Sequence, residues 1–209
     1  LGLFQSDDEA AAWPRFKGTQ PTAGDVKYAD LNNDGIIDER DKKVVSPYSN
    51  TPEIMFGLNL SASWKGFDFS ALFQGAANRN VMLGGFATQM FVNGSSNLPK
   101  YLYDDRWTPD NRDARYPKAW GPDHPSNNKV STFWLINGNY VRLKNIELGY
   151  SIPKVLLSKV GVERLRVYVG GTNLFSIDHM PGYDPEKQDG GPNYYPQQRV
   201  FNMGVNITF

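Results

Sequence analysis

The amino-acid sequence predicts an all-β chain that forms part of the wall of a membrane β-barrel. Several segments of about nine to eleven residues alternate apolar and polar side chains with a period of two, which is typical of strands with one apolar face. Short and long connections alternate between these segments, as they do in outer-membrane barrels. Aromatic residues make up 13% of the chain and recur beside the short connections, where membrane barrels carry aromatic girdles. We therefore expect antiparallel strands with an apolar face toward lipid and a polar face toward the lumen.

The strands can be placed one by one from this alternation. Residues 54–75 hold two alternating segments joined by a Lys-Gly dipeptide, which predicts a hairpin. Residues 139–175 predict two more strands joined by a short turn, and a β-bulge would explain why the alternation slips near Lys144 and Asn145. Residues 200–209 (VFNMGVNITF) predict a further strand.

The connections between the strands are of two kinds. Residues 6–53, 76–138 and 176–199 are long and rich in Pro, Gly, Asn and Asp. Loops of this length are unusual in a compact soluble domain but common on the extracellular side of outer-membrane barrels. Because five strands cannot close a barrel, and an open edge in lipid leaves backbone groups unpaired, we expect the chain to be a piece of a longer polypeptide.

The composition excludes several classes of function. Lys plus Arg equals Asp plus Glu at 22 each, so no basic surplus attracts nucleic acid. The chain has no Cys, which excludes disulfides, thiolate zinc sites and thiol catalysis. No apolar run is long enough for a transmembrane helix. Since carboxylate pairs suited to glycoside hydrolysis cannot be assigned by spacing, we expect no enzymatic activity.

Residues 30–41 (DLNNDGIIDERD) match the spacing of a calcium-binding loop. Oxygen-bearing side chains stand at loop positions 1, 3, 5, 9 and 12, a Gly stands at position 6, and position 7 offers its carbonyl. The candidate ligands of Ca²⁺ are therefore Asp30, Asn32, Asp34, Ile36, Asp38 and Asp41. Position 12 carries Asp instead of the Glu of an EF-hand, as in dockerin-type loops. We expect a structural ion that neutralises these carboxylates; the alternative is an Asp- and Asn-rich turn that binds nothing.

Three other features are ambiguous in the sequence. His124 and His179 each lie alone in a Pro-rich loop, which predicts two surface histidines. Residues 106–120 (RWTPDNRDARYPKAW) mix aromatic residues with Asp and Arg. They could contact a sugar or a partner protein, or they could pack within their own loop. The GYDPE motif of residues 182–186 allows the same alternatives.

Taken together, the motifs resemble the C-terminal end of the SusC/RagA family of TonB-dependent outer-membrane transporters. They span nearly the whole chain and are, in order, GLFQS at Gly2, GDVKYADLNNDGIID at Gly24, GLNLSASWKGFDFSALFQG at Gly57, RWTP at Arg106, NYVRLKNIELGYSIP at Asn139, LRVYVGGTNLF at Leu165, GYDPE at Gly182 and VNITF at Val205. The resemblance implies a barrel of about 22 strands with a plug in its lumen and long extracellular loops.

The same resemblance implies a function, a location and partners. The whole protein would import glycans or peptides across the cell outer membrane, with a SusD-like surface lipoprotein as its partner. The TonB complex would act through an N-terminal part that is absent here. Lipid, lipopolysaccharide and the barrel assembly machinery would be further contacts, and Phe209 would be the assembly signal. With Phe209 on the periplasmic side, the three long loops are extracellular, the turn within residues 139–175 is periplasmic, and residues 1–5 end an outward-running strand.

Two readings from other classes compete with this one. A soluble extracellular β-domain could use residues 30–41 as a dockerin-like calcium loop for protein interaction. A dockerin, however, usually carries two such loops with helices, and the sequence holds one. A glycan-active enzyme domain would need placed carboxylates that the sequence does not show.

Overall fold

A computed structural model describes residues 1–91, 97–121, 124, 126–158, 161–187 and 197–209. Parts of the predicted loops 76–138 and 176–199 therefore lie outside the described residues. The strands are β1 (Ile54–Trp64), β2 (Phe67–Ala77), β3 (Asn80–Met82), β4 (Leu135–Asn137), β5 (Tyr140–Ser151), β6 (Arg164–Asp178) and β7 (Val200–Thr208). The α-helices are short and comprise α1 (Asp7–Ala12), α2 (Lys100–Asp104) and α3 (Lys154–Leu157), with 3₁₀ turns at Glu39–Asp41 and Gly85–Ala87.

Five of the strands form one antiparallel sheet in the order β1-β2-β5-β6-β7, and β3 pairs with β4 in a separate ribbon. The sheet confirms the predicted all-β fold, and within the described residues it does not close into a barrel. The Lys-Gly turn between β1 and β2 forms as predicted, with positive φ angles of 48° at Lys65 and 89° at Gly66. Such a turn matches the twist of the two strands that it joins.

The sheet has one continuous apolar face. Residues directly opposite each other in an antiparallel pair project to the same side. One row across all five strands consists of Ala62, Phe69, Leu148, Val169 and Met203. The side chains of this face are largely exposed, and Met203 reaches 86%. A sheet that leaves such a broad apolar surface uncovered is suited to contact with lipid.

The opposite face of the sheet is polar and carries charges. Ser63, Asp68 and Gly149 stand opposite one another there, as do Arg166 and Asn206. The Arg166 guanidinium pairs with the carboxylates of Asp68 and Glu147. A Cβ at Gly149 would collide with this guanidinium, so the missing side chain leaves the room that Arg166 occupies.

The predicted bulge is present at Lys144. Leu72 of β2 pairs with Asn145, and the next residue, Phe73, pairs with Leu143, so β5 has one extra residue. Toward β6 the ladder also shifts between Leu143 and Asn145. The extra residue changes which side of β5 carries even-numbered residues, and this keeps apolar side chains on one face above and below the bulge.

The long loops fold together into a core of their own beside the sheet. Its main buried cluster consists of Val81, Leu83, Ala87, Met90, Leu102, Tyr116, Trp120, Trp134, Ile136 and Met180. A second cluster joins Leu3, Val26 and Trp107. Among the described residues no helix is both long and apolar enough to cross a membrane.

The start of the chain packs against the first long loop. Leu3 forms an isolated antiparallel bridge with Val26, and the end of a further barrel strand at residues 1–5 stays a prediction. The backbone N–H of Phe4 donates to the carbonyl of Asp25 at 2.9 Å, and the Phe4 side chain is only 2% exposed. These residues are therefore held in the loop core, because burying Leu3 and Phe4 there removes apolar surface from water.

Candidate functional site

The predicted calcium loop is a compact turn on the surface of the loop core. Asn33 and Gly35 have positive φ angles of 59° and 83°, which Asn and Gly tolerate best. Asp30 Oδ2 accepts a hydrogen bond from the Gly35 backbone N–H at 2.8 Å. Ile37 anchors the loop, since it is buried and its N–H donates to the Arg15 carbonyl at 3.1 Å.

Most of the predicted ligand side chains accept backbone hydrogen bonds within the loop. Asn32 Oδ1 accepts from the Asp34 N–H and Asp34 Oδ1 from the Ile36 N–H, both at 3.0 Å. The Asp41 carboxylate accepts from the backbone N–H groups of Leu31 and Asp38, at 2.7 and 2.8 Å. These backbone donors lower the pKa of Asp41. The loop is thus ordered by its own side chains.

Arg40, which the sequence analysis did not single out, pairs with two of the predicted ligands. Its guanidinium lies 2.6 Å from Asp34 Oδ2 and 2.7 Å from Asp38 Oδ2. The hydrogen bonds from Arg40 lower the pKa of Asp38. In the part of the chain that the structure describes, no three His, Cys, Asp or Glu side chains are arranged to hold a metal ion. Arg40 thus neutralises the carboxylates that a bound cation would otherwise neutralise.

One oxygen of the loop has no such neutralising partner. Asp30 Oδ1 is buried and makes no hydrogen bond within the described residues, whereas a buried polar atom is normally satisfied. The donor set of carboxylate, amide and carbonyl oxygens is the one that a hard cation prefers. The residues therefore fit a calcium ion in their chemistry, provided that Arg40 moves away.

A second polar cluster, centred on Asp25, joins loops that are about 100 residues apart in sequence. Asp25 is 1% exposed, and its Oδ1 accepts from Asn127 Nδ2 at 2.9 Å while its Oδ2 accepts from the Thr22 N–H at 2.8 Å. His124 Nε2 lies 3.2 Å from Oδ1, and Lys118 Nζ lies 3.3 Å from Oδ2. Burial by itself raises the pKa of Asp25, but the hydrogen bonds from His124, Thr22 and Asn127 outweigh it and lower the pKa to about 2.

His124 corrects one prediction. It is not a surface histidine, because its side chain is 16% exposed and contacts buried Asp25. Its Nδ1 accepts from the backbone N–H groups of Ser126 and Asn127, at 3.3 and 3.1 Å. Both ring nitrogens are therefore engaged, which leaves none to serve as a general base. His179, in contrast, is exposed as predicted.

The aromatic segment of residues 106–120 packs within the loop core, which was one of the two alternatives. Trp107, Tyr116 and Trp120 are each less than 10% exposed. Tyr116 stacks on Trp134, with ring centroids 6.2 Å apart, and the Trp134 indole N–H donates to the Asn127 carbonyl at 2.7 Å. These rings hold the loops together and are not available to stack on a sugar.

Comparisons with known proteins place this fold among outer-membrane receptors. The TonB-dependent receptor P26 of Formosa agariphila is 32% identical over the whole chain, and SusC of Bacteroides thetaiotaomicron is 27% identical over 87% of it. The chain spans only about a fifth of these relatives, 22% and 17% of their lengths. No protein-family model matches the chain.

Solved structures agree with the curated relatives. The structure of the RagAB peptide transporter matches 78% of this chain and 18% of the compared chain, with 30% identity and a TM-score of 0.58. The RagAB peptide importer in its closed-closed state covers 100% of this chain and 22% of its own, with a TM-score of 0.65 at 24% identity, which supports the fold.

Proposed function

The chain belongs to the TonB-dependent receptors, of which P26 matches all of it and SusC matches 87% of it, and from this premise we propose that it forms part of the barrel wall and extracellular loops of an outer-membrane importer. The observation that carries the proposal is the agreement between this similarity and the exposed apolar face of the sheet. A soluble interaction domain would cover such a face with a second layer. The apolar face therefore argues against the dockerin-like alternative.

The proposal also covers cargo and partners. RagAB, to which the chain is similar, is a peptide transporter, and we propose that the whole protein here takes up peptides or glycans with a SusD-like lipoprotein as its partner. The polar face of the sheet would line the lumen, and the loop core would stand on the extracellular side. Energy would come from TonB through a part of the polypeptide outside these residues.

Fractionation of cells that produce the whole polypeptide tests this function. We expect an antibody against residues 106–120 to detect it in the outer-membrane fraction, released only by detergent. A protease added to intact cells should cleave the loops and leave the sheet. A deletion strain should lose growth on one peptide or glycan source and regain it with the cloned gene. Recovery of the intact polypeptide in the soluble fraction would contradict the proposal.

Calcium binding by residues 30–41 belongs to the same proposal. Asp30, Asn32, Asp34, Asp38 and Asp41, with the carbonyl of Ile36, would hold the ion, and Ca²⁺ would neutralise the carboxylates and brace the exposed loop. The unpartnered Asp30 Oδ1 supports the proposal. The ion would have to displace Arg40 from Asp34 and Asp38, because both cations need the same oxygens.

Limited trypsin digestion of the whole protein in detergent tests the calcium loop. Arg40, Lys42 and Lys43 offer cleavage sites, and we expect Ca²⁺ to slow cleavage there in the parent. Asp34→Ala should raise the Ca²⁺ concentration needed for this protection by about tenfold, or abolish the protection, because a carboxylate ligand is lost. Arg40→Gln should lower the Ca²⁺ concentration needed for protection by about two- to fivefold, because an exposed competing ion pair is removed.

The Arg40→Gln variant is the internal control of this experiment, since it keeps every predicted ligand and the tryptic sites at Lys42 and Lys43. Equal cleavage of the parent with and without Ca²⁺ would argue for the turn that binds nothing. Equal cleavage of Arg40→Gln with and without Ca²⁺ would show that the turn binds no ion even when the competing guanidinium is removed.

A further inference from the structure

The segment that follows β6, residues 179–187, folds back onto the polar face of the sheet, and we call it the strap. Arg142 of β5 lies on this face, directly opposite Gln74 and Ser176. Two of its nitrogens contact the two carboxylate oxygens of Asp184 at 3.0 and 3.2 Å. Arg142 also contacts Glu186 at 3.0 Å. The GYDPE motif therefore carries the two carboxylates that tie the strap to the sheet.

Lys144 adds a second cation to this contact. Its Nζ lies 2.8 and 3.1 Å from the two carboxylate oxygens of Glu186. Lys144 is the bulge residue that the ladders on both sides of β5 pass over. Bulges often re-aim a side chain, and here the bulged residue reaches from the wall to the strap.

Arg79, which follows β2, holds the backbone of the strap. Its two terminal nitrogens donate to the carbonyls of Pro185 and Lys187, at 2.8 and 2.5 Å. Within the strap, the Glu186 N–H donates to Asp184 Oδ1 at 2.9 Å. Three cations from neighbouring parts of the wall thus grip four consecutive residues, Asp184 to Lys187.

Burial divides this network into two parts. The side chains of Arg142 and Asp184 are each 6% exposed, whereas those of Lys144 and Glu186 are 22% and 23% exposed. Removing one partner of a buried pair leaves a charge without compensation, which is strongly unfavourable. Water already reaches the Lys144–Glu186 pair. Opening of the strap should therefore begin there, and it should become easier when that pair is broken.

We propose that these ion pairs form a latch that holds the strap across the polar face at the loop end of the sheet, so that the latch sets how wide the passage is beside β5. The proposal rests on the proposed function, because the polar face borders a passage only if the sheet is part of a barrel. The latch is electrostatic; the strap is also held by the hydrogen bonds from Arg79 to its backbone and by Met180 and Tyr183, which pack in the loop core.

Amide hydrogen exchange on the whole protein in detergent tests the latch. The readout is the exchange rate of the peptide that contains Glu186 and Lys187. Lys144→Glu and Glu186→Lys each place like charges together, and each should speed this exchange about tenfold. The double variant restores an opposite pair at positions 144 and 186 but leaves a Lys at position 186 beside Arg142. The exchange rate should therefore return only in part toward that of the parent, to below the rate of either single variant. The control, Lys17→Glu, makes the same charge change at an exposed residue and should leave the rate unchanged.

Parental exchange rates in both single variants would overturn the latch. So would a double variant that exchanges as fast as the two single effects multiplied together, because the two side chains would then act independently. Exchange measures opening of the strap whether or not the protein imports anything. A negative result here is therefore distinct from failure of the proposed function, which cell fractionation reports.

Discussion

Replacing Asp25 with Ala is expected to lower the free energy of local unfolding of the loop core by about 3–5 kcal/mol. Asp25 is the shared acceptor for Asn127, Thr22, His124 and Lys118. Without its carboxylate, buried donors lose their partner, and the cost of leaving them unsatisfied exceeds the value of any single hydrogen bond. The effect should reach both loops, because Asn127 Oδ1 in turn accepts the Val26 N–H at 2.9 Å.

Amide hydrogen exchange at Val26 and Phe4 measures this loss in the whole protein. The matched control is Asp113→Ala, which removes an exposed carboxylate from the same loop region and should change the free energy by less than about 0.5 kcal/mol. The loss of free energy in Asp25→Asn should lie between those of Asp25→Ala and Asp113→Ala, since Asn keeps the shape of the Asp side chain but not its charge. Equal protection of Val26 in Asp25→Ala and Asp113→Ala would show that the cluster does not join the loops.

The same residue gives the loop core a dependence on pH. The pKa of Asp25 is about 2 in the folded chain, below its ordinary value, so the folded state favours the ionised form. The stability that follows is fully present above the ordinary pKa and is lost as the pH falls through about 2. Acidification from about pH 5 to about pH 2 should therefore destabilise the parent more than Asp25→Ala.

Replacing Trp134 with Ala is expected to cost about 3–5 kcal/mol in the same loop core. The Trp134 side chain is 1% exposed and contacts the rings of Tyr116 and Phe133. Its removal leaves a cavity and also takes the indole donor from the Asn127 carbonyl. Neighbouring side chains fill such a cavity only in part.

This prediction is checked by measuring the stability of the loop core to heat, with hydrogen exchange of residues 81–87 as the readout. Trp134→Phe keeps most of the ring volume and should lose about half as much stability or less. Phe86→Ala is the control, because Phe86 is an aromatic residue of the same region with a 44% exposed side chain. A Trp134→Ala protein that is as stable as Phe86→Ala would mean that the loops are not held by this core.

The strands could be predicted from the sequence because their signal is local. Alternation within about ten residues fixes which side chains share a face. The hairpin needed only its two-residue turn, and the bulge showed itself as a slip in the alternation at Lys144. Each of these features depends on neighbouring residues, and the observed pairing of β2 with β5 follows them.

The loop core could not be predicted in the same way. Its contacts join residues such as Asp25 and Asn127, which lie 102 positions apart, and no local pattern announces them. His124 was misassigned for this reason, since a histidine in a Pro-rich loop gives no sign of a distant carboxylate. The side chain of Arg40, in contrast, could have been noticed, because a cation within an Asp-rich loop is a natural competitor for its oxygens.

The bulge at Lys144 also changes whether odd- or even-numbered residues of β5 belong to the apolar face. Before Lys144, odd-numbered residues such as Leu143 belong to the apolar face. After Lys144, even-numbered residues such as Leu148 belong to it. A deletion of Lys144 would thus turn Ile146, Leu148 and Tyr150 toward the polar side and Glu147 toward the apolar side. This one added residue lets both halves of β5 present their apolar side chains on the same face of the sheet. The same residue, Lys144, contacts Glu186 of the strap.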